Sequence, residues 1–234
     1  MARTVPPDRF QRLLDCATQV FIEQGYARTQ MADIAAAMGI AKGTLYLYVE
    51  SKEALFDLVV RHADAEHPLT TPPTLPLRTP KPGATLQHVR TRLAEAPPLP
   101  ALIAALGRQR VADPRAELSE IVREIYHTLS RNRRAIKLMD RSAQFHPDLA
   151  ATWFKGARGT LTQLLADYLN RRIRGKLLRP VPDVAVAARV IMETIVTWAV
   201  HRHWDPSPQA IDDQVAEDTV VQFIVGGLIK EVQP

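Results

Sequence analysis

Residues 29–53, TQMADIAAAMGIAKGTLYLYVESKE, decide the fold of the N-terminal part of this chain. Ala35 and Gly39 lie four residues apart in this stretch, an arrangement that a helix-turn-helix requires. The alanine lets a second helix cross closely, and the glycine can adopt the positive φ of the turn. The apolar side chains available to pack between the two helices are Ile34, Met38, Ile40 and Leu45. We therefore predict two short helices joined by a tight turn, with a third starting at once.

Helices are also predicted on both sides of the turn. Residues 9–24 repeat apolar side chains at helical spacing, and Gly25 suits the left-handed residue that ends a helix. The Thr29 hydroxyl is expected to cap the second helix, and the third is expected over residues 41–48. Ser51 is expected to cap a fourth helix.

A proline-rich segment follows. Residues 68–83, PLTTPPTLPLRTPKPG, contain six prolines in sixteen residues and cannot support a helix. We predict an extended linker there, although a ligand for a proline-binding partner domain is an alternative.

The remainder of the chain shows only helical periodicity, with no alternating strand pattern. Helices are predicted over 84–96, 99–110, 114–130, 132–144, 147–174, 182–203 and 208–232. The prolines that suit the first turns of four of these helices are Pro114, Pro147, Pro182 and Pro208. The predicted fold class is all-α.

The composition is ordinary for a globular protein, with 46% hydrophobic and 24% charged residues among 234. A single cysteine excludes an internal disulfide framework and a multi-cysteine zinc site. The first residues lack the apolar core of a secretory signal, and the apolar stretch 184–200 is interrupted by Arg189 and Glu193. We expect a soluble, cytoplasmic protein.

The net charge of +5 does not by itself indicate nucleic-acid binding. Residues 1–66 hold seven lysines and arginines against nine acids, a net charge of −2, so the remainder carries +7. Any argument for DNA binding must therefore rest on the helix-turn-helix itself.

A helix that enters the major groove needs small or polar residues at its exposed N-terminal end and an apolar back. Lys42 can reach a phosphate or a guanine edge, and Thr44 can contact a thymine methyl or a phosphate. Gly43 lets the backbone lie close to the duplex. Leu45 and Val49 form the expected apolar back.

Tyrosine hydroxyls and a lysine are predicted to add phosphate contacts. Tyr46 and Tyr48 are expected to project their phenols outward, unless one of them packs on the fourth helix. Lys52 adds a charge beside the free N–H groups that open the fourth helix, unless it is an ordinary surface lysine.

These residues resemble a known family. The run FIEQGYARTQMADIAAAMGIAKGTLYLYVESKEALF, within residues 10–56, is similar to the N-terminal DNA-binding domain of TetR-type bacterial transcriptional regulators. The similarity lies in GY between the first two helices, in DIA, in KGTLY and in SKEALF, and covers about a fifth of the chain. It implies a dimeric repressor of a palindromic operator, with an activator as the alternative. It also implies an all-helical C-terminal domain with a pocket for a small-molecule effector.

The resulting domain prediction has three parts: a DNA-binding domain in 1–66, a linker in 67–83, and an effector-binding and dimerisation domain in 84–234. The predicted DNA-binding residues are Arg28, Thr29, Gln30, Lys42, Gly43, Thr44, Tyr46, Tyr48 and Lys52.

Three positions depart from the family pattern. Ala41 stands where serine is common, so the third helix lacks a capping hydroxyl worth roughly 1 kcal/mol. Gln30 replaces a frequent threonine or serine and puts one phosphate contact in doubt. Val49 replaces a common phenylalanine and thins the packing behind the third helix.

The last two predicted helices, 182–203 and 208–232, are the most apolar. Paired across a twofold axis they would form a four-helix dimer interface, which the resemblance also implies. The alternative is that both helices belong to the core of one monomer.

A polar stripe on the first of these helices, together with bulky apolar residues elsewhere, suggests an effector pocket, with ordinary packing as the alternative. The candidate residues are Met139, Phe145, Trp153, Tyr168, Met192, Glu193, Thr194, Thr197, Trp198 and His201.

No metal site is predicted, because His201 and His203 lie on different helix faces and no cysteine or carboxylate cluster accompanies them. The chain shows no paired carboxylates, no nucleophile with a base, and no phosphate-binding glycine loop. We therefore predict no catalytic residues, no cofactor and no enzymatic activity. Two basic clusters are expected to be solvated helix ends, with attraction of an acidic ligand or non-specific contact with DNA as the alternative. They consist of Arg131, Arg133 and Arg134, and of Arg171, Arg172 and Arg174.

Overall fold

The computed structural model describes residues 7–63, 74–95, 99–144 and 146–230. The helices are α1 (Pro7–Gln24), α2 (Met31–Met38), α3 (Lys42–Leu45), α4 (Lys52–His62), α5 (Ala84–Glu95), α6 (Pro100–Gly107), α7 (Pro114–Arg131), α8 (Arg133–Ala143), α9 (Pro147–Ala150), α10 (Gly159–Arg174), α11 (Val184–Ala199) and α12 (Asp213–Leu228). A π-helical stretch, Ala151–Arg158, joins α9 to α10, and a 3₁₀ helix, His201–Trp204, follows α11. These ranges contain no β-strand, so the all-α prediction is confirmed.

The chain divides into two compact units. The first holds residues 1–96 and 134–153, and the second holds 97–133 and 154–234. This division groups α5 and α8 with the N-terminal helices, whereas the predicted C-terminal domain contains both. The functional division of the chain stays a prediction.

The first unit is built around the helices that the sequence predicts. Gly25 and Gly39 both adopt positive φ, 77° and 69°, at the ends of α1 and α2, as expected. Ser51 accepts a hydrogen bond from the N–H of Ala54 at 3.1 Å and caps α4, which is also as expected. The buried apolar residues of α1, α2 and α4 include Phe10, Leu13, Leu14, Ala17, Phe21, Ile34, Ala35, Leu55 and Val59.

Helix α8 binds to α1 within this unit through two arginines. Arg134 Nη2 lies 3.0 Å from Asp15 Oδ1, and Arg141 Nε donates to the carbonyl oxygen of Ile22 at 3.2 Å. Arg134 at the start of α8 therefore has a specific partner, although its side chain is still 41% exposed.

The described part of the linker is attached to the end of the helix-turn-helix. The Leu77 N–H donates to the Tyr48 carbonyl at 2.8 Å, and the Leu77 carbonyl accepts from the Glu50 N–H at 2.9 Å. The Thr79 hydroxyl donates to Ser51 Oγ at 2.8 Å. Residues 74–80 form no helix, as their prolines predict, whereas linker residues 67–73 lie outside the described ranges.

The second unit contains a buried ion pair that corrects a prediction. Arg172 on α10 donates through Nε to Glu117 Oε1 at 2.7 Å and through Nη2 to Glu117 Oε2 at 3.1 Å. Both side chains are only 3% exposed. Arg172 therefore belongs to the core, and the expectation that it is a solvated helix end is wrong.

Aspartates, and not prolines, open the last two helices. The prolines expected to begin α7 and α9 do so. However, Pro182 and Pro208 precede their helices, because α11 and α12 start behind Asp183 and Asp212. Each of these carboxylates accepts a hydrogen bond from a backbone N–H of the first turn. A proline side chain has no acceptor atom for such a bond.

Within the described ranges, no helix is long and apolar enough to cross a membrane. The same ranges hold no group of three or more His, Cys, Asp and Glu side chains that could bind a metal ion.

Candidate nucleic-acid interface

Gln30, and not Thr29, occupies the N-cap position of α2. The Asp33 carboxylate accepts a hydrogen bond from the Gln30 N–H at 2.8 Å, which stabilises this helix end. Thr29 is 1% exposed, and its hydroxyl donates to the Gly25 carbonyl at 2.8 Å. The predicted Thr29 cap is therefore wrong, and its hydroxyl is directed into the chain instead of toward DNA.

The N-terminal end of α3 has the character that the sequence predicts. Ala41 is the N-cap residue and makes no side-chain cap hydrogen bond. Lys42 and Gly43 are exposed and Thr44 is half-buried. A Cβ atom on Gly43 would meet nothing within 4 Å, so packing inside the chain does not require a glycine there.

The back of α3 is apolar and buried. Leu45 and Val49 are both fully buried, as predicted. Helix α3 spans only Lys42–Leu45, and turn residues 46–48 follow it, so it is shorter than the predicted 41–48.

The three residues after α3 differ in exposure. Tyr46 is 42% exposed, in agreement with the outward projection expected of it. Tyr48 is only 5% exposed, so the outward projection expected of it is wrong. Leu47, which the sequence reasoning did not select, is 61% exposed. The spacing of Leu45, Tyr48 and Val49 at i, i+3 and i+4 could have indicated that Tyr48 shares the buried face.

Lys52 connects the helix-turn-helix to the turn that precedes it. Its Nζ donates to the carbonyl oxygens of Tyr26 at 3.0 Å and Thr29 at 3.1 Å. The same ammonium group lies 4.4 Å from the centroid of the Tyr26 ring. Lys52 therefore fixes the start of α2. It is not the ordinary surface lysine that was given as the alternative.

Aromatic rings reinforce this turn. The Tyr26 ring lies 4.6 Å from that of Phe56, and the Phe21 ring lies 5.3 Å from Phe56 in an edge-to-face arrangement. Tyr26 Oη donates to Glu53 Oε1 at 2.9 Å. Burial, with help from this hydrogen bond, raises the pKa of Tyr26, so the phenol stays protonated.

Two further predicted DNA-binding residues, Arg28 and Gln30, are exposed. Together with Lys42, Gly43, Thr44 and Tyr46 they offer cationic, amide and hydroxyl donors on and around α2 and α3. Such donors are typical of protein contacts to phosphate oxygens.

The effector-pocket candidates are divided between the two compact units. Met139 on α8 is buried in the first unit. Trp153 belongs to the same unit and donates through Nε1 to Asp140 Oδ1 at 2.7 Å. Phe145 lies outside the described residues.

The remaining candidates belong to the second unit, and several have roles within it. Tyr168 is fully buried beside Arg172, whose guanidinium carbon lies 5.3 Å from the Tyr168 ring centroid. Met192 is buried, and Glu193 accepts from Arg158 Nη2 at 2.6 Å. The Thr194 hydroxyl donates to the Val190 carbonyl at 2.8 Å.

The C-terminal end of the predicted polar stripe is more open. Thr197 is exposed, whereas Trp198 and His201 are half-buried. The Trp198 carbonyl accepts from Arg202 Nε at 2.8 Å. The pocket predicted from these residues stays a prediction.

Comparison with known proteins identifies the helix-turn-helix. The sequence model of the family described as bacterial regulatory proteins, tetR family, matches residues 13–59. The HTH-type transcriptional repressor DhaR of Mycobacterium sp. (strain GP1) is 37% identical over 95 residues, which are 41% of this chain and 46% of that repressor. The HTH-type transcriptional repressor KstR2 of Rhodococcus jostii (strain RHA1) is 43% identical over 53 residues, 23% of this chain and 26% of that repressor. The chain thus spans less than half of the length of these curated relatives.

The solved structures extend the similarity of fold beyond this domain. The structure of the ketosteroid transcriptional regulator KstR2 of Mycobacterium tuberculosis has a TM-score of 0.57 and 21% sequence identity, and the match covers 98% of this chain and 99% of that one. The names of these proteins are those of regulators and repressors, and none is that of an enzyme. Residues 13–59 therefore match the tetR family in sequence, and the chain as a whole shares the fold of the KstR2 structure.

Proposed function

We propose that this protein is a ligand-responsive transcriptional repressor that binds a palindromic operator as a homodimer and is released by a small molecule. The observation that carries the proposal is the exposed N-terminal end of α3, with Lys42 and Gly43 open to solvent, in front of the buried Leu45. An apolar back and a small, polar front are the properties of a helix that enters the major groove.

In such a dimer, the two α3 helices would enter successive major grooves about 34 Å apart. Lys42 and Thr44 would contact phosphates and base edges, and Tyr46 would donate its hydroxyl to a phosphate oxygen. Gly43 would allow close approach of the backbone, which agrees with the open space around it. Because residues 1–66 carry a net charge of −2, affinity would depend on these donors and not on bulk attraction.

The dimer is supported by large apolar side chains that are exposed on the last two helices. Val186 and Val190 lie one turn apart on α11, and Val215 and Phe223 lie two turns apart on α12. Phe223 is 79% exposed. Rows of this kind are unusual on a monomer surface and are suited to burial against a second copy. We propose that α11 and α12 form the four-helix interface.

Release by an effector requires a difference in affinity between two conformations. A small molecule that binds more tightly to the conformation unable to fit the operator will shift the population away from DNA. The pocket residues predicted on α11 remain our candidates for part of this site in the second unit.

Lys42→Ala is expected to test the DNA contact. Operators are first selected from random duplexes with the intact protein, and affinity is then measured by fluorescence anisotropy over a range of salt concentrations. Loss of one phosphate contact should weaken binding and reduce the slope of log K against log salt by about 1 per protomer. Lys155→Ala, at an exposed lysine of the second unit, is the matched control and should change neither quantity. An unaltered titration for Lys42→Ala would exclude this contact.

Phe223→Asp is expected to convert the dimer to a monomer, because a carboxylate would have to be desolvated at the apolar interface. Sedimentation velocity at micromolar concentration measures the change directly. Ile103→Asp alters another exposed apolar side chain of the second unit, on α6, and should leave the dimer intact. A Phe223→Asp protein that still sediments as a dimer would show that the interface lies elsewhere.

A further inference from the structure

The first unit contains a cavity of about 290 Å³ beside the helix-turn-helix. The turn between α1 and α2, α4, residues 80–83, α5 and the α8–α9 region all contribute to its walls. Its apolar lining residues include Phe56, Val60, Leu86, Val89, Met139 and Leu149. The volume lies just below the range of about 300–1,000 Å³ typical of small-molecule sites.

One carboxylate gives this apolar cavity a hydrogen-bond acceptor. Glu53 lines it and accepts a hydrogen bond from Tyr26 Oη at 2.9 Å. A hydrogen bond from its own backbone N–H holds the pKa of Glu53 below the usual value. The ionised carboxylate has about four acceptor positions, and the Tyr26 hydroxyl, the Glu53 N–H and the Ser51 hydroxyl do not saturate it.

The other polar side chains of the lining disfavour an anionic ligand. Asp148 adds a second negative charge, and Lys81 supplies one positive charge. The His146 ring lies 5.1 Å from the Tyr26 ring and extends the aromatic surface. An anionic ligand would therefore meet an excess of negative charge, whereas a neutral donor would meet an acceptor and aromatic faces.

We propose that this cavity binds a small, mainly apolar molecule that carries one hydroxyl donor, such as a phenol or an aromatic alcohol, with its hydroxyl donating to Glu53. The apolar walls bind the ring of the molecule, and the carboxylate selects the donor. This site is distinct from the α11 stripe considered above, because all its lining residues belong to the first unit.

The site is coupled to the helix-turn-helix through Tyr26. The Tyr26 hydroxyl binds Glu53 inside the cavity, and the Tyr26 carbonyl accepts a hydrogen bond from Lys52, which also holds the Thr29 carbonyl. A ligand hydroxyl on Glu53 shares the carboxylate with Tyr26 and so weakens the Tyr26 hydrogen bond that attaches the turn before α2. Occupancy therefore lowers operator affinity, a consequence that rests on the proposed function.

Binding is tested on the full chain with 13C-methyl-labelled methionine, using p-cresol as the probe and toluene as the probe without a hydroxyl. The Met139 methyl resonance, assigned with Met139→Leu, should shift saturably with p-cresol, and toluene should bind about tenfold more weakly. Leu86→Trp, which fills the cavity, should abolish the shift. Gln87→Trp, at the adjacent exposed position of α5, should preserve it.

A Met139 resonance that does not saturate with p-cresol, or that saturates equally in Leu86→Trp, would overturn the proposal. If Leu86→Trp does not fold, Val60→Phe fills the same cavity from α4. This variant should likewise abolish the shift of the Met139 resonance. Operator binding is measured separately without p-cresol. Failure of that measurement contradicts the proposed function, whereas intact operator binding without a probe-dependent shift contradicts only the cavity proposal.

Discussion

Replacement of Glu117 by leucine is expected to lower the free energy of unfolding by about 3–5 kcal/mol. The substitution leaves the buried Arg172 guanidinium without its carboxylate partner, and an uncompensated charge in a protein interior is costly. Arg172 would keep its hydrogen bonds to the carbonyls of Ala105 at 2.7 Å and Arg108 at 3.2 Å, so the charge could not simply move into solvent. Urea unfolding followed by circular dichroism measures the loss.

Two variants separate charge burial from general disruption. In the double variant Glu117→Leu with Arg172→Met, both charges are gone, and most of the lost stability should return. Glu193→Leu removes a carboxylate of the same unit whose side chain is 40% exposed, and it should cost less than about 1 kcal/mol. If Glu117→Leu and Glu193→Leu lowered the free energy of unfolding equally, breaking the buried ion pair would carry no extra cost, and the prediction would be wrong.

Leu45→Ala is expected to destabilise the first unit by about 2–5 kcal/mol and to abolish operator binding. The Leu45 side chain is fully buried behind α3, a helix of four residues with no side-chain cap, so packing and not helix propensity must fix its orientation. Thermal unfolding and operator anisotropy measured on the same preparation give both quantities.

Leu47→Ala is the matched control for this prediction, since it makes the same chemical change two residues later at an exposed position. Its stability should change by no more than about 0.5 kcal/mol. If Leu47→Ala destabilised the unit as much as Leu45→Ala, the division between the buried back of α3 and its exposed front would be wrong.

Local features of the first unit could be predicted from the sequence because each depends on a few neighbouring residues. Positive φ at Gly25 and Gly39 and the cap at Ser51 follow from residue type and spacing. The error at Tyr48 came from treating a tyrosine as outward by its polarity, although its distance from Leu45 assigns it to the buried face. Thr29 was misassigned because residue preference suggested a cap, whereas its hydroxyl satisfies the Gly25 carbonyl.

Features that depend on distant segments could not be predicted in this way. Arg172 resembles the neighbouring arginines in sequence, and only its contact with Glu117, 55 residues away, reveals its burial. The cavity beside Tyr26 is assembled from separate parts of the chain, so no local pattern indicates it. The exposed apolar residues on α11 and α12 lie between these extremes, because their helical spacing is local, whereas the burial we propose for them requires a second copy.

The attachment of Leu77 to the end of the helix-turn-helix affects how this domain could be transplanted. A chimeric repressor that joined residues 1–66 to a foreign regulatory domain would remove the partner of the Tyr48 carbonyl and of the Glu50 N–H. It would also remove the Thr79 hydroxyl from Ser51. A fusion point after residue 83 retains these contacts, so we expect a transplanted helix-turn-helix to need the residues up to 83.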